Sequence, residues 1–312
     1  MKIFTTLKKK LIRILFIKKY PFHRVSIFLL KKIIGLKKDE LAIVSMFHSG
    51  ETYMIAAMID SIRKKFGIEK PVVLVGSKNY HGQIAEMFPD QIKKYYQISG
   101  DIALCLQERR DIKKNEIFAL YNEKIWKYFK ARSDLKQLDY VKQIIFVEPE
   151  TKLLNPTISE EVKLEAKRKF DELNLIKGKT VFLSPEAISV KVLPNDFWQN
   201  LADQINAKGY KVFLNIIGRE NNIKNSVSGF LTLQEAIAFV ELCGNVVALR
   251  SGLCDIVISS NTKFQIIYPD EKSLEKYSFS HYSDHKNKIT EYVFDELNWK
   301  KLTEQIFKKI FV

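Results

Sequence analysis

A chain of 312 residues that is 46% hydrophobic and 12% aromatic, with only 12 Gly and 8 Pro, is too apolar for a disordered protein and large enough for two cores. The net charge of +15 is unevenly placed: residues 1–38 hold twelve Lys or Arg and no Asp or Glu. The body is therefore nearly balanced, which argues against nucleic acid as a partner, because such a binder needs basic and aromatic residues interleaved on a folded surface.

In chain order the first element is a basic arm, residues 1–38. Ile3, Leu7, Leu11, Ile14 and Leu15 recur at helical spacing, with Lys8, Lys9, Lys10, Arg13, Lys18 and Lys19 around them. Pro21 ends this helix, and 25–36 form a second apolar and basic stretch. Charges interrupt each apolar run well short of the ~20 residues a spanning helix needs. The pattern reads as amphipathic helices lying on an anionic membrane surface, with those six basic side chains as lipid contacts; a helical arm packed on its own domain is the alternative. No small-residue cleavage site follows, as a signal peptide would require. The expected location is cytoplasmic, peripheral at the inner face of the cell membrane.

Residues 39–155 read as an α/β domain. The run 41–46 predicts a buried strand, followed by the loop 47–52 and a helix over 53–66 with Ile55, Met58, Ile59 and Ile62 on one face. Strands are predicted at 71–76, 84–87, 96–98 and 144–147, an alternation typical of parallel sheets with crossover helices. The segment 148–156, marked by Pro149 and Pro156, predicts a break. A second α/β domain, 156–295, then has a charged helix over 159–173, strands at 181–184, 211–216, 246–249 and 264–268, and helices at 197–208 and 233–242. The closing segment, 296–312, predicts a helix over 299–311 that packs back on the first domain. The fold class is α/β, with two Rossmann-like domains facing a cleft at the carboxyl ends of their sheets.

The densest local signal is Leu249-Arg250-Ser251-Gly252-Leu253-Cys254-Asp255, a strand end, a tight turn and a helix start. Backbone N–H groups at such a turn suit a phosphate; an ordinary turn in which Gly252 relieves strain is the other reading. Cys105, Cys243 and Cys254 are widely separated and make neither a disulfide frame nor a zinc site with five scattered His. They imply a reducing cytosol, with Cys254 a small buried residue.

Several stretches together carry a family resemblance. Ser184-Pro185-Glu186 leads to Lys191, Pro194 and Trp198; 213–217 are followed by Gly218 and Glu220; Leu231-Thr232-Leu233-Gln234-Glu235 opens a helix; and Arg250 to Asp255 stands where an Asp-(Ser/Thr)-Gly-x-x-His turn is expected. In order and spacing these resemble the donor half of bacterial heptosyltransferase-type glycosyltransferases, which have the GT-B architecture. Gly50-Glu51, after the first strand, resembles that family's Gly-Asp loop. The resemblance covers most of residues 41–100 and 180–269, and it departs at Arg250, where the family has Asp, and at Asp255, where it has His.

The resemblance implies a glycosyltransferase of hexosyl- or heptosyltransferase type, taking a sugar from a nucleotide-diphosphate donor to a surface polysaccharide or lipid-linked glycan. Glu51 inherits the base by position, with His48 in the same loop as the second candidate. Transfer also needs positive potential where diphosphate charge develops. Donor binding falls to Lys191, Arg250, Ser251 and Gly252, with Ser184 beside them, Glu220 on the ribose hydroxyls and Asp255 in support. Plainer roles exist for each: Glu51 at the positive end of a helix, Lys191 as a solvated charge, Glu220 in a polar turn. No Asp-x-Asp occurs, so no metal and no cofactor are expected and the reaction would be metal-independent; a direct displacement with Glu51 as base would invert the anomeric centre. A catalytically inactive nucleotide-sugar-binding subunit of a glycan-assembly complex is the competing reading.

Overall fold

The computed structural model describes residues 30–100, 117–119, 123–188, 190–216, 223–282 and 288–311. They fall into two units. Unit 1 takes the described residues up to Arg132 and also 139–155; unit 2 takes 133–138 and those from Pro156 onward.

Unit 1 is built on a parallel sheet of β1 (Ala42–Ser45), β2 (Val72–Gly76), β3 (Ile92–Gln97) and β4 (Ile117–Ala119), in the order β3-β2-β1-β4. The chain starts at the inner strand β1, runs outward through β2 to β3, and returns to the other side at β4. The carboxyl end of β1 therefore lies at a topological switch point, where open α/β sheets bind ligands. On one face Ala42, Val44, Val73 and Val75 are covered by Leu30 and Ile34, from a helical stretch at residues 30–34. The boundary expected for the arm is thus corrected: its last turn belongs to the core of unit 1. Lys8, Lys9, Lys10, Arg13, Lys18 and Lys19 lie outside the described residues.

Helices α1 (Ser49–Ala56) and α2 (Ile59–Lys65) replace the single helix expected over 53–66. The ladder breaks at Ala57 and Met58, where the Ala57 carbonyl accepts from the Leu154 N–H at 2.9 Å. The run 84–87 belongs to α3 (Asn79–Glu86) and its end, not to a strand. A short buried apolar run fits either state, and here the following strand is β3. After α4 (Glu123–Ala131) comes α5 (Gln137–Ile144), so the strand expected over 144–147 is instead a helix end and a turn, with Phe146 at φ 58°.

Unit 2 holds a six-stranded parallel sheet of β5 (Thr180–Ser184), β6 (Lys211–Asn215), β7 (Val227–Gly229), β8 (Gly244–Leu249), β9 (Lys263–Tyr268) and β10 (Ile289–Val293), in the order β10-β9-β8-β5-β6-β7. Its switch point lies between β5 and β8. Side chains alternate across the sheet as the pleat demands. Val181, Leu183, Val212, Leu214, Val247 and Leu249 join Phe197, Trp198, Leu201 and Ile205 of α7 (Asn195–Ala207) in one core cluster. Phe182 and Phe213 meet Phe239 of α8 (Leu233–Cys243), and Phe239 meets Phe170 of α6 (Glu160–Glu172). Two helix starts are capped as their sequences dictate: Ser159 accepts from the Val162 N–H, and Thr232 with Glu235 forms a capping box.

Three further helices complete unit 2: α9 (Gly252–Val257), α10 (Glu271–Tyr277) and α11 (Trp299–Ile310). The expectation that this last helix packs on the first domain is corrected. Leu302, Ile306 and Ile310 join the α7 cluster of unit 2, and Thr303 Oγ1 donates to Asn200 Oδ1 at 2.8 Å. Its apolar stripe finds its own sheet's helix layer, each buried aliphatic side chain contributing roughly 1.5–3 kcal/mol. Strands β7 and β10 are additions at the two edges.

Candidate active site

In unit 1 the carboxyl end of β1 runs directly into α1. His48 is the N-cap, extended at φ −70° and ψ 175°, and its exposed side chain makes no capping bond. Glu51 lies in the first turn and is buried, 6% exposed. A carboxylate here is favoured by the positive end of the helix. The helix start is fixed from below by a buried pair, Ser45 Oγ and Thr52 Oγ1, at 2.7 Å. That contact joins the last residue of β1 to the residue after Glu51, so the carboxylate sits on a short, rigid connection. Of the two base candidates, Glu51 is buried at the switch point and His48 faces outward.

In unit 2 the two strands flanking the switch point end in Ser184 on β5, which is buried, and Leu249 on β8. Ser184 pairs across the ladder with Ala248, which places it beside the start of the 250–252 turn. Arg250 continues the sheet by its backbone, N–H to the Ile267 carbonyl at 2.9 Å, and Ser251 then turns extended, as N-cap of α9, into Gly252. Lys191 stands in the loop between β5 and α7, with its side chain 72% exposed and its Nζ 3.6 Å from Glu296. Glu220 lies outside the described residues.

The Arg250 side chain departs from its expected use as a cation for the diphosphate. It is buried, 5% exposed, and forms a forked pair with Asp255: Nη2 to Oδ1 at 2.7 Å and Nη1 to Oδ2 at 3.0 Å. Its remaining N–H groups donate to the Tyr277 carbonyl at 3.0 Å, the Ser251 carbonyl at 2.6 Å and Gln137 Oε1 at 2.7 Å. A guanidinium has five N–H groups in a planar fork, and each has a partner inside unit 2. The plane also lies 4.6 Å from the Phe279 ring centroid. Burial acts to lower the Arg250 pKa, but Asp255 and then Tyr268 beside it act the other way, and the net direction is up. The guanidinium thus stays charged where it is buried.

Asp255 also lies 3.4 Å from Tyr282 Oη. Burial, and then the Asp255 charge, raise the Tyr282 pKa well above the phenol range, so this hydroxyl keeps its proton. Beyond it, Tyr268 Oη donates to Glu291 at 2.6 Å and lies 3.0 Å from the Tyr277 carbonyl oxygen, while Glu291 also accepts from Ser278 Oγ and the Phe279 N–H. The segment 277–282 is thereby sewn to the turn. Cys254 is buried and its thiol pKa is pushed up by burial, which fits a packing residue.

Sequence reasoning reached Arg250 and Asp255 but missed their partners. Gln137 is 113 residues away, and the Tyr277 and Ser251 contacts are to carbonyls, which no side-chain pattern reveals. Among the described residues no group of three His, Cys, Asp or Glu is placed to hold a metal ion, and no helix is long and apolar enough to cross a membrane.

No protein-family model matches the sequence, and no curated protein does. Solved structures do match. A glycosyl transferase family 9 structure from Veillonella parvula aligns with a TM-score of 0.60 at 15% identity, covering 88% of this chain and 93% of that one. The E. coli ADP-heptose LPS heptosyltransferase II aligns at 0.59 with 12% identity, covering 87% and 98%. E. coli heptosyltransferase WaaC, solved with ADP, aligns at 0.53 with 9% identity, covering 87% and 99%. The α/β fold of parallel sheets described above is therefore the fold of these glycosyltransferase structures, over nearly their full length.

Proposed function

We propose that this chain is a glycosyltransferase that moves a sugar from a nucleotide-diphosphate sugar, held by unit 2, to a surface polysaccharide or lipid-linked glycan, with Glu51 of unit 1 as the base. The observation that carries the reading is the placement of Glu51: a buried carboxylate in the first turn of α1, at the switch point of a sheet whose fold is shared with heptosyltransferases. Glu51 would take the proton from the acceptor hydroxyl as that oxygen attacks the anomeric carbon, and the bond to the diphosphate breaks on the opposite face, inverting the centre. Lys191 and the Ser251–Gly252 backbone would meet the developing negative charge, with Ser184 beside them and Glu220 toward the ribose. Arg250 and Asp255 hold that turn in shape. The reaction needs no metal in this scheme.

The basic segment before residue 30 would hold the protein on an anionic membrane, at its cytoplasmic face. Since Leu30 and Ile34 are core residues of unit 1, a test by flotation with phosphatidylglycerol vesicles should remove residues 1–29 and no more. Loss of flotation supports the anchor; unchanged flotation discards it.

The enzyme reading is tested by Glu51→Gln. Loss of a general base lowers kcat by about 10²–10⁴-fold, while nucleotide binding, read as a thermal shift with ADP, GDP, UDP and CMP, stays as in wild type. Full turnover in E51Q would discard the base assignment. A second reading, a nucleotide-sugar-binding subunit without transferase activity, is favoured by one observation: the cation nearest the turn spends its donors internally. Nucleotide binding without donor consumption on any acceptor would select it.

A further inference from the structure

Strand β2 ends at Gly76 and α3 begins at Asn79. The His81 ring lies so close over Gly76 that a Cβ at that glycine would stand 2.1 Å from Nδ1. On the same helix a Cβ at Gly82 would stand 2.9 Å from the Tyr95 ring. Two glycines thus let α3 settle onto β2 and β3, where Tyr80 and His81 reach across to the loop after β1.

There they converge on one backbone atom. His81 Nε2 is 3.0 Å from the Phe47 carbonyl oxygen and Tyr80 Oη is 3.3 Å from it. A carbonyl only accepts, so the imidazole carries its proton on Nε2, and both side chains donate. His81 is wholly buried, and its Nδ1 has no hydrogen-bond partner among the described residues. A buried imidazole with one nitrogen unsatisfied costs free energy that ordinary packing would avoid, and its retained Nε2 bond is what it supplies. The Phe47 carbonyl precedes His48, the N-cap of α1, and Glu51 follows in the first turn. Tyr80 lies in the field of that carboxylate: burial, and then the Glu51 charge, raise its pKa.

We propose that His81 and Tyr80 are positioning residues for Glu51, which clamp the Phe47 carbonyl and so hold the β1–α1 connection in the geometry that proton removal requires. The proposal rests on the reading of Glu51 as the base. It assigns a use to a buried histidine that takes no part in the transfer chemistry itself.

The experiment compares wild type with His81→Met, His81→Gln and Tyr80→Phe. Gln carries an N–H₂ group at the reach of Nε2 and can still donate to Phe47; Met fills space and cannot. Hydrogen exchange is followed in peptides spanning 47–53, and release of nucleoside diphosphate from ADP-, GDP- and UDP-hexoses gives kcat and the donor KM. Loss of one buried hydrogen bond predicts about tenfold faster exchange in H81M, a smaller rise in Y80F and near wild-type protection in H81Q. The kcat falls in parallel and is restored in H81Q, with the donor KM within about twofold of wild type. Wild-type exchange in H81M, no rescue by H81Q, or faster exchange with unchanged kcat would each overturn the clamp. A wild-type protein that consumes no donor overturns the glycosyltransferase reading instead, and the positioning role with it; the exchange pattern tells that failure apart from a failed clamp.

Discussion

The β1–α1 connection of unit 1 and the β8–α9 turn of unit 2 are the same kind of object, a strand that ends at a topological switch point and turns within a few residues into a helix. They are held by opposite means. At the first, the acidic residue is placed by others: Ser45 pins Thr52, and His81 and Tyr80 grip the Phe47 carbonyl. At the second, the charged residue does the placing, since Arg250 ties Asp255, the Ser251 and Tyr277 carbonyls and Gln137 into one knot. A charge beside a switch-point turn is therefore no guide to chemistry until its partners are known. The buried fork that looks from sequence like a phosphate receptor is a strut.

The largest expected effect breaks that strut. Arg250→Met leaves Asp255 buried without its cation, and breaking such a pair costs about 3–5 kcal/mol. Arg250→Lys should lose much of the same, because one ammonium cannot replace a planar five-donor fork. Denaturant unfolding checks both, and Arg250→Met/Asp255→Leu should recover a large part of the loss by removing the stranded charge. A single variant within about 1 kcal/mol of wild type would show that Arg250 does not carry the knot.

The unit 1 counterpart is felt through pH. Burial, the largest influence, takes the His81 pKa from 6.5 down to about 4, partly opposed by its bond to the Phe47 carbonyl. The folded state thus binds this proton more weakly than the unfolded chain. The contribution to stability is complete above pH 6.5 and is lost as pH falls from 6.5 toward 4, by roughly 3 kcal/mol in all at about 1.4 kcal/mol per pKa unit. Unfolding measured over that window should show the slope in wild type and not in H81Q. An equal slope in both would assign it to other groups.

How much of this was readable before the structure depends on the range of the forces involved. The strand–turn–helix course of 231–269 was legible because each element is local: Thr232 and Glu235 cap α8, β8 is a run of apolar residues, and Gly252 opens α9. The strand assigned to 84–87 failed because Ile84 and Ala85 are buried in a helix and Met87 at its C-cap, and a four-residue apolar run has no period to read. The split between α1 and α2 rests on a bond from Leu154, almost a hundred residues on, and the fate of Arg250 rests on Gln137 and two carbonyls. What decided both sites was which backbone oxygen a side chain reaches, and that is fixed by packing.

Lys191 carries the smallest effect on stability and the sharpest contrast with Arg250. Its pair with Glu296 is exposed on both sides, at 72% and 74%, and spans 3.6 Å, so water screens it and rotamer entropy offsets most of the gain. Lys191→Ala should leave the unfolding free energy within about 0.5 kcal/mol of wild type. A lysine so weakly engaged gives up little on turning to a diphosphate, whereas Arg250 would have to abandon five hydrogen bonds to four residues to do so. If Lys191 faces the donor, K191A weakens ADP or UDP binding several-fold at low salt, with the difference shrinking as salt rises. Equal affinity at every ionic strength would move the diphosphate's positive partner elsewhere, and would leave the backbone of Ser251 and Gly252 to meet the charge alone.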